Sequence, residues 1–388
     1  MTEELWVNTG FLGYFTLTVK MYRSALFHST RLSKKAICSR RFFSTQSQVL
    51  TNYAFVGLGQ MGQHMARHIY ENLDAKEDHL YIYDTVPEAI TNFVDTVTTQ
   101  TPQHKELLTV LPNLSSFVTG VEGQLDFIVT MVPEGKHVKS VVEEIITAYE
   151  QNGYTPNYKT TIVDSSTIDI PTSRLVHKYV KETIPEFDFI DAPVSGGVAG
   201  ARKGTLSFML SRDNHQDISP ELTKLLSKMG KNLFPCGRNH GTGLAAKLSN
   251  NYLLAITNLA TADSFQLAKA FGLNLQNYAK LVAVSTGKSW ASVDNCPIEG
   301  VYPADYNLPA DHGFNGGFIT KLTRKDVVLA TDCAKDQDRF LFLGEVGRHW
   351  YDKACERKDI AERDLGVLYE WLGDLKQDKN GDVIDTKG

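Results

Sequence analysis

Six residues near position 60 have the spacing of a loop that holds a dinucleotide. They form the pattern G-x-G-x-x-G, and they are Gly57, Leu58, Gly59, Gln60, Met61 and Gly62. The first glycine permits a tight turn, the second lets the backbone approach a pyrophosphate, and the third allows close helix packing. The free N–H groups and the dipole of the helix that follows then favour the phosphates. The pattern predicts a cofactor-binding turn at the start of a folded region.

An acidic residue ends the next predicted strand. Asp84 follows the apolar run Leu80–Tyr83 and lies 27 residues after Gly57, somewhat beyond the usual spacing of about 20. A carboxylate at this place accepts hydrogen bonds from the adenosine ribose hydroxyls and repels a 2′-phosphate. The next residues, Thr85–Glu88, contain no arginine that would bind such a phosphate. The sequence therefore predicts NAD rather than NADP, with a glycine-rich turn for another ligand as the alternative.

A second pair of polar residues lies in a long apolar stretch. Lys247 and Asn251 are four residues apart, so they share one face of a helix predicted over Leu244–Phe271. The helix dipole disfavours a lysine near the N-terminus, and burial also lowers the pKa of an ammonium group. Such a lysine is suited to exchange a proton with an alcohol near neutral pH. Composition alone supports equally a solvated lysine whose stem covers apolar surface.

The elements that must position these residues alternate between strands and helices. The predicted strands are Tyr53–Val56, Leu80–Tyr83, Leu125–Met131, Thr160–Val163 and Phe187–Ile190. Near-continuous apolar strands separated by helices are typical of a parallel sheet that is covered on both faces. Ligands of such sheets lie outside the carboxyl ends of the strands, where Val132, Pro133 and Thr167 are expected.

The predicted fold class is an α/β Rossmann-type N-terminal domain followed by an all-α C-terminal domain built on a long central helix. We place the dinucleotide-binding domain at residues 51–239, the helical domain at 240–375 and a flexible polar tail at 376–388. The 388 residues, 42% of them hydrophobic, are enough for two domains. No run approaches the roughly 18 apolar residues of a membrane-spanning helix. The formal net charge of −5 gives no general attraction for nucleic acid.

The first 50 residues differ from the rest in charge. They contain seven Lys or Arg and two acidic residues, and Met21–Leu50 contains no acid. An Arg-rich, Ser-rich and acid-poor segment is typical of a mitochondrial transit peptide, with processing expected near Ser44. We therefore predict a transit segment at residues 1–43 and a mitochondrial matrix location, with a disordered basic tail as the alternative. Met21 is an alternative start, which would make residues 1–20 a gene-model extension.

The cysteines and histidines predict neither a disulfide framework nor a metal site. The five cysteines are scattered singly, at Cys38, Cys236, Cys296, Cys333 and Cys355, which is typical of a reducing compartment. His64 and His68 are four residues apart on the first predicted helix, but no third ligand is suggested nearby. We therefore expect no metal.

Seven segments together resemble the β-hydroxyacid dehydrogenase family. They are VGLGQMG (Val56–Gly62), MVP (Met131–Pro133), DSSTID (Asp164–Asp169), DAPVSGG (Asp191–Gly197), GTGLAAKLSNN (Gly241–Asn251), STGKSW (Ser285–Trp290) and KD (Lys325–Asp326). The fourth and fifth segments are far more specific than the glycine turn. The resemblance implies an NAD-dependent oxidation of a small 3-hydroxy acid, with 3-hydroxyisobutyrate as the expected substrate.

The resemblance also implies roles for individual residues. Lys247 would take the hydroxyl proton during oxidation, and Asn251 would help to hold Lys247 and the substrate oxygen. The implied substrate-binding residues are Ser195, Gly196, Gly197 and Trp290. The implied cofactor contacts beyond the glycine turn and Asp84 are Val132, Pro133, Thr167 and Lys325. His137 stands where the family commonly has an asparagine that contacts the cofactor, so this contact is a hypothesis.

Two other functions stay open on this information. A related reductase of glyoxylate, succinic semialdehyde or tartronate semialdehyde fits the same motifs, because one methyl group in a pocket discriminates by only about 1–3 kcal/mol. A non-catalytic NAD-binding module for protein interaction is the other alternative, and the retained Lys247 and Asn251 argue against it. The long apolar helix also predicts subunit contacts, and therefore a homodimer or homotetramer.

Overall fold

The computed structural model describes residues 51–74, 78–153 and 159–387. The predicted transit segment at residues 1–43, with the alternative start at Met21, lies outside the described residues. Among the helices of the described ranges, none combines the length and the apolar composition that crossing a membrane requires.

A six-stranded parallel sheet forms the N-terminal part of the described chain. Its strands are β1 (Thr51–Val56), β2 (Asp78–Tyr83), β3 (Leu108–Val110), β4 (Phe127–Thr130), β5 (Thr160–Asp164) and β6 (Phe187–Asp191). Their spatial order is β3-β2-β1-β4-β5-β6, and each neighbouring pair is parallel. The order reverses between β1 and β4, which places a ligand-binding crevice at the carboxyl ends of these two strands. The predicted parallel sheet is confirmed, and β3 is an additional edge strand.

Helices cover both faces of this sheet. They are α1 (Gly62–Glu71), α2 (Pro87–Gln100), α3 (Ser116–Thr119), α4 (Gly135–Gln151) and α5 (Ile170–Thr183). Side chains of β1 alternate between two apolar cores, because Tyr53 and Phe55 belong to one and Ala54 and Val56 to the other. All four are at most 2% exposed, which explains why the strand is a continuous apolar run.

A small three-stranded sheet follows β6 in the chain. Its strands are β7 (Val194–Ser195), β8 (Leu206–Leu210) and β9 (Gly230–Pro235), connected by α6 (Gly197–Lys203) and α7 (Pro220–Met229). β7 is antiparallel and β9 parallel to β8. These strands are too short to give a clear periodicity in the sequence. They place Ser195 at the end of β7, one residue before the N-cap of α6, which begins at Gly197.

The C-terminal part is helical and is built on α8 (Thr242–Ala270), as the sequence predicts. The 29 residues of α8 span about 43 Å at 1.5 Å per residue. The helix lies between Gly241 (φ +93°) and Gly272 (φ +73°), in the left-handed region that favours glycine. The other helices are α9 (Leu275–Ala283), α10 (Trp290–Val293), α11 (Thr320–Asp336), α12 (Gly344–Glu356), α13 (Lys358–Ala361) and α14 (Leu368–Asp374). The predicted domain boundary, between residues 239 and 240, falls just before α8 and stays a prediction.

The long helix packs first against the sheet and then against other helices. Leu244 and Leu248 belong to the apolar core on one face of the sheet. Further along, Ala255 belongs to a core shared with α12 and α14, and Phe265 to a core shared with α9. Different faces of α8 are therefore buried along its length, which accounts for apolar residues on nearly every side. The N-terminal part of α8 therefore packs against the sheet.

The residues after α14 form a short antiparallel hairpin. It consists of β10 (Leu375–Gln377) and β11 (Val383–Asp385), where the sequence predicts a flexible polar tail at residues 376–388. Asp385 accounts for the difference. Its carboxylate accepts a hydrogen bond from Trp371 Nε1 (3.1 Å) and forms an ion pair with Arg357 (3.2 Å). These contacts connect the hairpin to α14 and to the C-terminus of α12.

Candidate active site

The glycine turn joins β1 to α1 in the way that its spacing predicts. Gly57 has a φ of +99°, and its N–H donates to the Tyr83 carbonyl at the end of β2 (3.0 Å). A Cβ at Gly57 would overlap the carbonyl of Met131, and a Cβ at Gly62 would overlap the carbonyl of Gly57. At Gly59, by contrast, nothing lies within 4 Å of such a Cβ. This side of the turn is therefore open to a ligand.

Asp84 lies beside this turn. Its two carboxylate oxygens accept hydrogen bonds from the N–H groups of Leu58 (2.5 Å) and Val86 (2.8 Å). These bonds fix the carboxylate between β2 and the turn, and each oxygen keeps a lone pair for a ligand hydroxyl. Of the remaining predicted turn residues, Gln60 is exposed and Met61 immediately precedes α1.

Four predicted cofactor residues meet at the carboxyl ends of β4 and β5. The ammonium group of Lys325, on α11, donates to the Thr167 carbonyl (2.6 Å) and to the Pro133 carbonyl (3.4 Å). The N–H of Val132 donates to Ser166 Oγ (3.0 Å), so the two loops are also joined directly. The helical part of the chain thus supplies a cation to the sheet edge where ligands of this fold bind.

His137 lies in the first turn of α4, which follows the loop of Val132 and Pro133. Its Nδ1 is buried and has no hydrogen-bond partner among the described residues. A buried polar atom without a partner destabilises the protein by about 1–3 kcal/mol. The contact of His137 with the cofactor stays a prediction.

Beneath these loops lies the buried carboxylate of Asp164, the last residue of β5. Its Oδ1 accepts hydrogen bonds from Thr130 Oγ1 (2.8 Å) and from the N–H of Ser166 (3.1 Å). Its Oδ2 has no hydrogen-bond partner within the described ranges. Burial raises the pKa of Asp164 to about 6, although the bonds from Ser166 and Thr130 oppose the shift; the charge of Asp191 adds to it.

We expect Asp164→Asn to stabilise the protein at neutral pH. The pKa of this carboxyl rises from its ordinary 3.8 to about 6 on folding, so the folded state binds the extra proton between these values. The contribution of this proton to the free energy of unfolding is complete below about pH 4 and is lost as the pH rises through 6. The loss amounts to at most about 3 kcal/mol. Asparagine keeps an acceptor for Thr130 and Ser166 but carries no charge.

Thermal melts of Asp164→Asn and of the unaltered protein at about pH 7.5 and about pH 5 test this expectation. The gain in unfolding free energy should be larger at the higher pH. An equal gain at both pH values, or a loss at the higher one, would contradict the assignment of the raised pKa to Asp164.

Lys247 lies in the second turn of α8, close to Lys325 and Asp326. Its side chain is half-buried, and its ammonium group has no hydrogen bond or ion pair within the part of the chain that the structure describes. Burial lowers the pKa of Lys247, the Asp326 carboxylate opposes this shift, and the charge of Lys325 adds to it. Of the two interpretations that the sequence left open, the geometry favours the desolvated lysine.

Asp326 connects the helix of Lys247 to the helix of Lys325. Asn251 Nδ2 donates to Asp326 Oδ2 (2.6 Å), and Lys325 Nζ lies 3.5 Å from Asp326 Oδ1. Asn251 and Asp326 are each 3% exposed. The sequence pointed to Asp326 only as the neighbour of Lys325, because no spacing rule reveals a bond between residues 75 positions apart.

A second carboxylate holds the start of α8. Asp191, the fully buried last residue of β6, accepts hydrogen bonds from the N–H groups of Gly241 (2.9 Å) and Leu244 (2.9 Å). These donors lie at the N-terminus of the helix, so the carboxylate acts as its cap and complements its dipole. The only sequence signal was the DAPVSGG segment, which does not reveal the capped helix.

The predicted substrate-binding residues lie on two other elements. Gly196 (φ +128°) and Gly197 (φ +59°) lead from Ser195 into α6, and both glycines are exposed. Trp290 is the first residue of α10, and its side chain is 47% exposed. Within the described residues no hydrogen bond joins any of these four to Lys247, so their roles stay predictions.

Of the two histidines of α1, His68 has local partners. His68 Nε2 contacts the Arg202 carbonyl oxygen (3.0 Å), and its Nδ1 lies 3.9 Å from Glu71 Oε2. Burial lowers the pKa of His64. In the described ranges no group of three or more His, Cys, Asp or Glu side chains is arranged to hold a metal ion.

Two family models match the chain in sequence order. Residues 52–237 match the NAD binding domain of 6-phosphogluconate dehydrogenase. Residues 241–372 match the model described as NAD-binding of NADP-dependent 3-hydroxyisobutyrate dehydrogenase. Together with the open glycine turn and the parallel sheet, these matches define the chain as a nicotinamide-dinucleotide-dependent oxidoreductase.

Proteins of one kind resemble the chain over most of its length. Mitochondrial 3-hydroxyisobutyrate dehydrogenase of Homo sapiens is 34% identical over 340 residues, which cover 87% of this chain and 90% of the relative. The Drosophila melanogaster protein of the same description is 32% identical over 332 residues, covering 86% and 92%. A solved structure of Mycobacterium tuberculosis 3-hydroxyisobutyrate dehydrogenase with L-serine has a TM-score of 0.69 and 29% identity, covering 84% of this chain and 99% of that one. The chain belongs to the 3-hydroxyisobutyrate dehydrogenase family of β-hydroxyacid dehydrogenases, which confirms the resemblance.

Proposed function

We propose that the chain oxidises 3-hydroxyisobutyrate to methylmalonate semialdehyde with NAD, as a step of valine breakdown. The observation that carries the proposal is Lys247, a half-buried lysine without an internal partner beside Lys325 and Asp326. A second support is that the relatives described above bear the name of this activity.

Lys247 is the proposed acid–base residue. Because burial lowers the pKa of its ammonium group, the neutral amine is accessible as an acceptor for the hydroxyl proton of the substrate. In the reverse direction the ammonium group returns this proton to the carbonyl oxygen. Asp326, held by Asn251, lies near the ammonium form, and its charge raises the pKa of Lys247. Bound NAD supplies the hydride acceptor.

The Ser195–Gly197 segment is the proposed site for the substrate carboxylate. The backbone N–H groups of Gly196 and Gly197 and the hydroxyl of Ser195 are hydrogen-bond donors, and the two glycines are exposed. Short bonds from such donors suit an anionic oxygen. Trp290 is proposed to shape the wall of the pocket.

The residues at the sheet edge fit NAD. The side of the turn at Gly59 that is open to a ligand suits a pyrophosphate, and the fixed carboxylate of Asp84 suits ribose hydroxyls. The loops of Val132, Pro133 and Thr167, and His137 in the first turn of α4, are proposed to contact the nicotinamide half.

We expect Asp84→Ala to weaken NAD binding by about 10- to 100-fold and to improve the relative binding of NADP, because ribose hydroxyls lose a charged acceptor and a 2′-phosphate loses a repelling charge. Calorimetric titration with both cofactors measures the ratio of their dissociation constants. Asp84→Asn is the matched control, since it keeps an acceptor for the N–H of Leu58 but carries no charge. An unaltered ratio in both variants would rule out this role of Asp84.

A steady-state panel tests the proposed function. Its substrates are 3-hydroxyisobutyrate, glyoxylate, succinic semialdehyde and tartronate semialdehyde, each with NAD(H) and NADP(H). We expect the highest kcat/KM for 3-hydroxyisobutyrate with NAD. A higher value for one of the other compounds would assign a related reductase instead. NAD binding without turnover of any substrate would assign a non-catalytic module.

We also propose a mitochondrial matrix location and a homodimer or homotetramer. The acid-poor basic composition of Met21–Leu50 supports the location, as do the human and fly relatives, which are described as mitochondrial. Leu253 and Leu267 of α8 are each 62% exposed, which supports subunit contacts. Imaging of fluorescent fusions with and without residues 1–43 tests the location, and analytical ultracentrifugation tests the assembly.

A further inference from the structure

His240, which lies just before α8, belongs to a buried polar network that the proposed reaction does not use. Its Nε2 lies 3.0 Å from Ser173 Oγ on α5, and its Nδ1 lies 3.4 Å from Asp191 Oδ1. Ser173 and Asp191 are fully buried, and the His240 side chain is 12% exposed. The hydroxyl of Ser211 also donates to Asp191.

The donors and acceptors of this network match in one arrangement. The N–H groups of Gly241 and Leu244 donate to the two oxygens of Asp191, which lies at the positive end of the α8 dipole. His240 Nδ1 faces Asp191 Oδ1 at 3.4 Å without making a hydrogen bond. A ring proton on Nδ1 leaves Nε2 to accept the hydroxyl proton of Ser173. The Ser173 hydroxyl, the Nε2 of His240 and both carboxylate oxygens of Asp191 thus have hydrogen-bond partners.

The surroundings of His240 keep its ring neutral. Burial lowers the pKa of His240 to about 4, and the charges of His177 and Arg174 add to this shift. The charges of Asp191 and Asp188 oppose it. His177 stacks on His240 with a centroid distance of 4.3 Å, and Arg174 Nε donates to the His240 carbonyl (3.1 Å). A neutral ring has one N–H, as the arrangement requires.

The side chains of Ser173, His240 and Asp191 lie next to one another in the sequence serine, histidine, carboxylate that is found in a hydrolase triad. The side chain of Ser173 is 0% exposed, however, so its Oγ is not accessible to a substrate. The network therefore acts within the protein.

The two ends of the network lie next to the two halves of the candidate active site. At one end, Asp191 holds the N–H of Leu244, and Lys247 follows three residues later in the same helix. At the other end, Ser173 lies on α5, the helix that follows the loop of Thr167, whose carbonyl binds Lys325. His240 thus joins the helix of the proposed acid–base residue to the helix of a proposed cofactor loop.

We propose that His240 is a positioning residue, which holds the first turn of α8 through Asp191 and Ser173 and thereby sets the place of Lys247 relative to the cofactor-binding edge of the sheet. This inference rests on the proposed function. A displacement of about 1 Å at a reacting group can lower a rate about 100-fold. Loss of the link should therefore slow the chemical step far more than it weakens cofactor binding.

The test uses His240→Leu in the full chain. We expect kcat for 3-hydroxyisobutyrate oxidation to fall about 10- to 100-fold while the KM for NAD changes less than about twofold. The deuterium isotope effect on kcat, with deuterium at the carbon that loses hydride, should rise because the chemical step becomes more rate-limiting. His240→Asn should restore most of kcat, since its amide N–H replaces the Nδ1–H toward Asp191.

His177→Leu is the matched control. His177 packs in the same place, but its Nδ1 contacts only the Phe189 carbonyl oxygen (3.0 Å), outside the link to Asp191. Its kcat should change less than about twofold. Thermal melts and NAD titration of each variant establish that the protein is folded. If His240→Leu does not fold, Ser173→Ala removes one hydroxyl from the same link and should lower kcat about tenfold.

Three results would overturn the inference. They are an unchanged kcat and isotope effect in a folded variant of His240 or Ser173, an equal loss in His177→Leu, and no recovery in His240→Asn. Failure of the proposed function has a different signature, because Lys247→Ala would then retain turnover whatever the His240 variants do. If another hydroxy acid proves the best substrate, the same comparison is made with that compound.

Discussion

Lys247→Ala is expected to lower kcat about 100- to 10,000-fold while NAD binding stays nearly unchanged. General acid–base groups contribute rate factors of this size, and no other described basic group next to the lysine combines burial with a lowered pKa. The neighbouring Lys325 is engaged with the carbonyl oxygens of Thr167 and Pro133, so it is not free to replace the lost amine. Steady-state turnover and fluorescence titration with NAD measure the two quantities separately.

Two further variants show which property of Lys247 matters. Lys247→Arg keeps the positive charge, but a guanidinium group does not lose its proton in proteins, so turnover should again be lost. Lys269→Ala is the control on the same helix, since its ammonium group lies over the ring of Tyr369 (6.0 Å), and kcat should stay within about twofold. Near-normal turnover in Lys247→Ala would contradict the proposed mechanism.

The features that the sequence predicts well depend on neighbouring residues. The turn at Gly57–Gly62 follows from the backbone conformations and close approaches that only glycine allows. The buried strands follow from apolar runs, as β1 shows with alternate side chains in two cores. The end of α8 before Gly272 likewise follows from one residue type with a positive φ. In each of these cases the physical cause lies within a few residues of its effect.

The features that the sequence does not predict depend on distant partners. Asn251 bonds Asp326, and Asp191 caps α8, across 75 and 50 to 53 positions of the chain. The C-terminal hairpin needs Asp385 to meet Trp371 and Arg357. No local periodicity contains such information. The resemblance to the family supplied the identities of Lys247 and Asn251, but the arrangement of carboxylates around them is visible only in three dimensions.

Asp326→Asn is expected to move the pH dependence of oxidation to lower pH and to reduce kcat about tenfold. The charge of Asp326 raises the pKa of Lys247, against the effects of burial and of Lys325, so its removal lowers that pKa further. Oxidation requires the neutral amine, and activity therefore increases as the pH rises through the pKa of Lys247. When this pKa falls, the acidic limb of the kcat/KM profile moves to lower pH. The fall in kcat follows from the altered bond to Asn251 (2.6 Å).

The profile is measured with 3-hydroxyisobutyrate and NAD over the range in which the protein stays folded. Asp332→Asn is the control, because Asp332 lies on the same helix but pairs with Arg348 (3.2 Å) and is 54% exposed. Its acidic limb should coincide with that of the unaltered protein. A limb that stays in place or moves to higher pH in Asp326→Asn would show that this carboxylate does not act on the proton of Lys247. Lys325 lowers the same pKa, so Lys325→Met should move the acidic limb to higher pH. The opposite signs of the two shifts test separately the effects of Asp326 and Lys325 on Lys247.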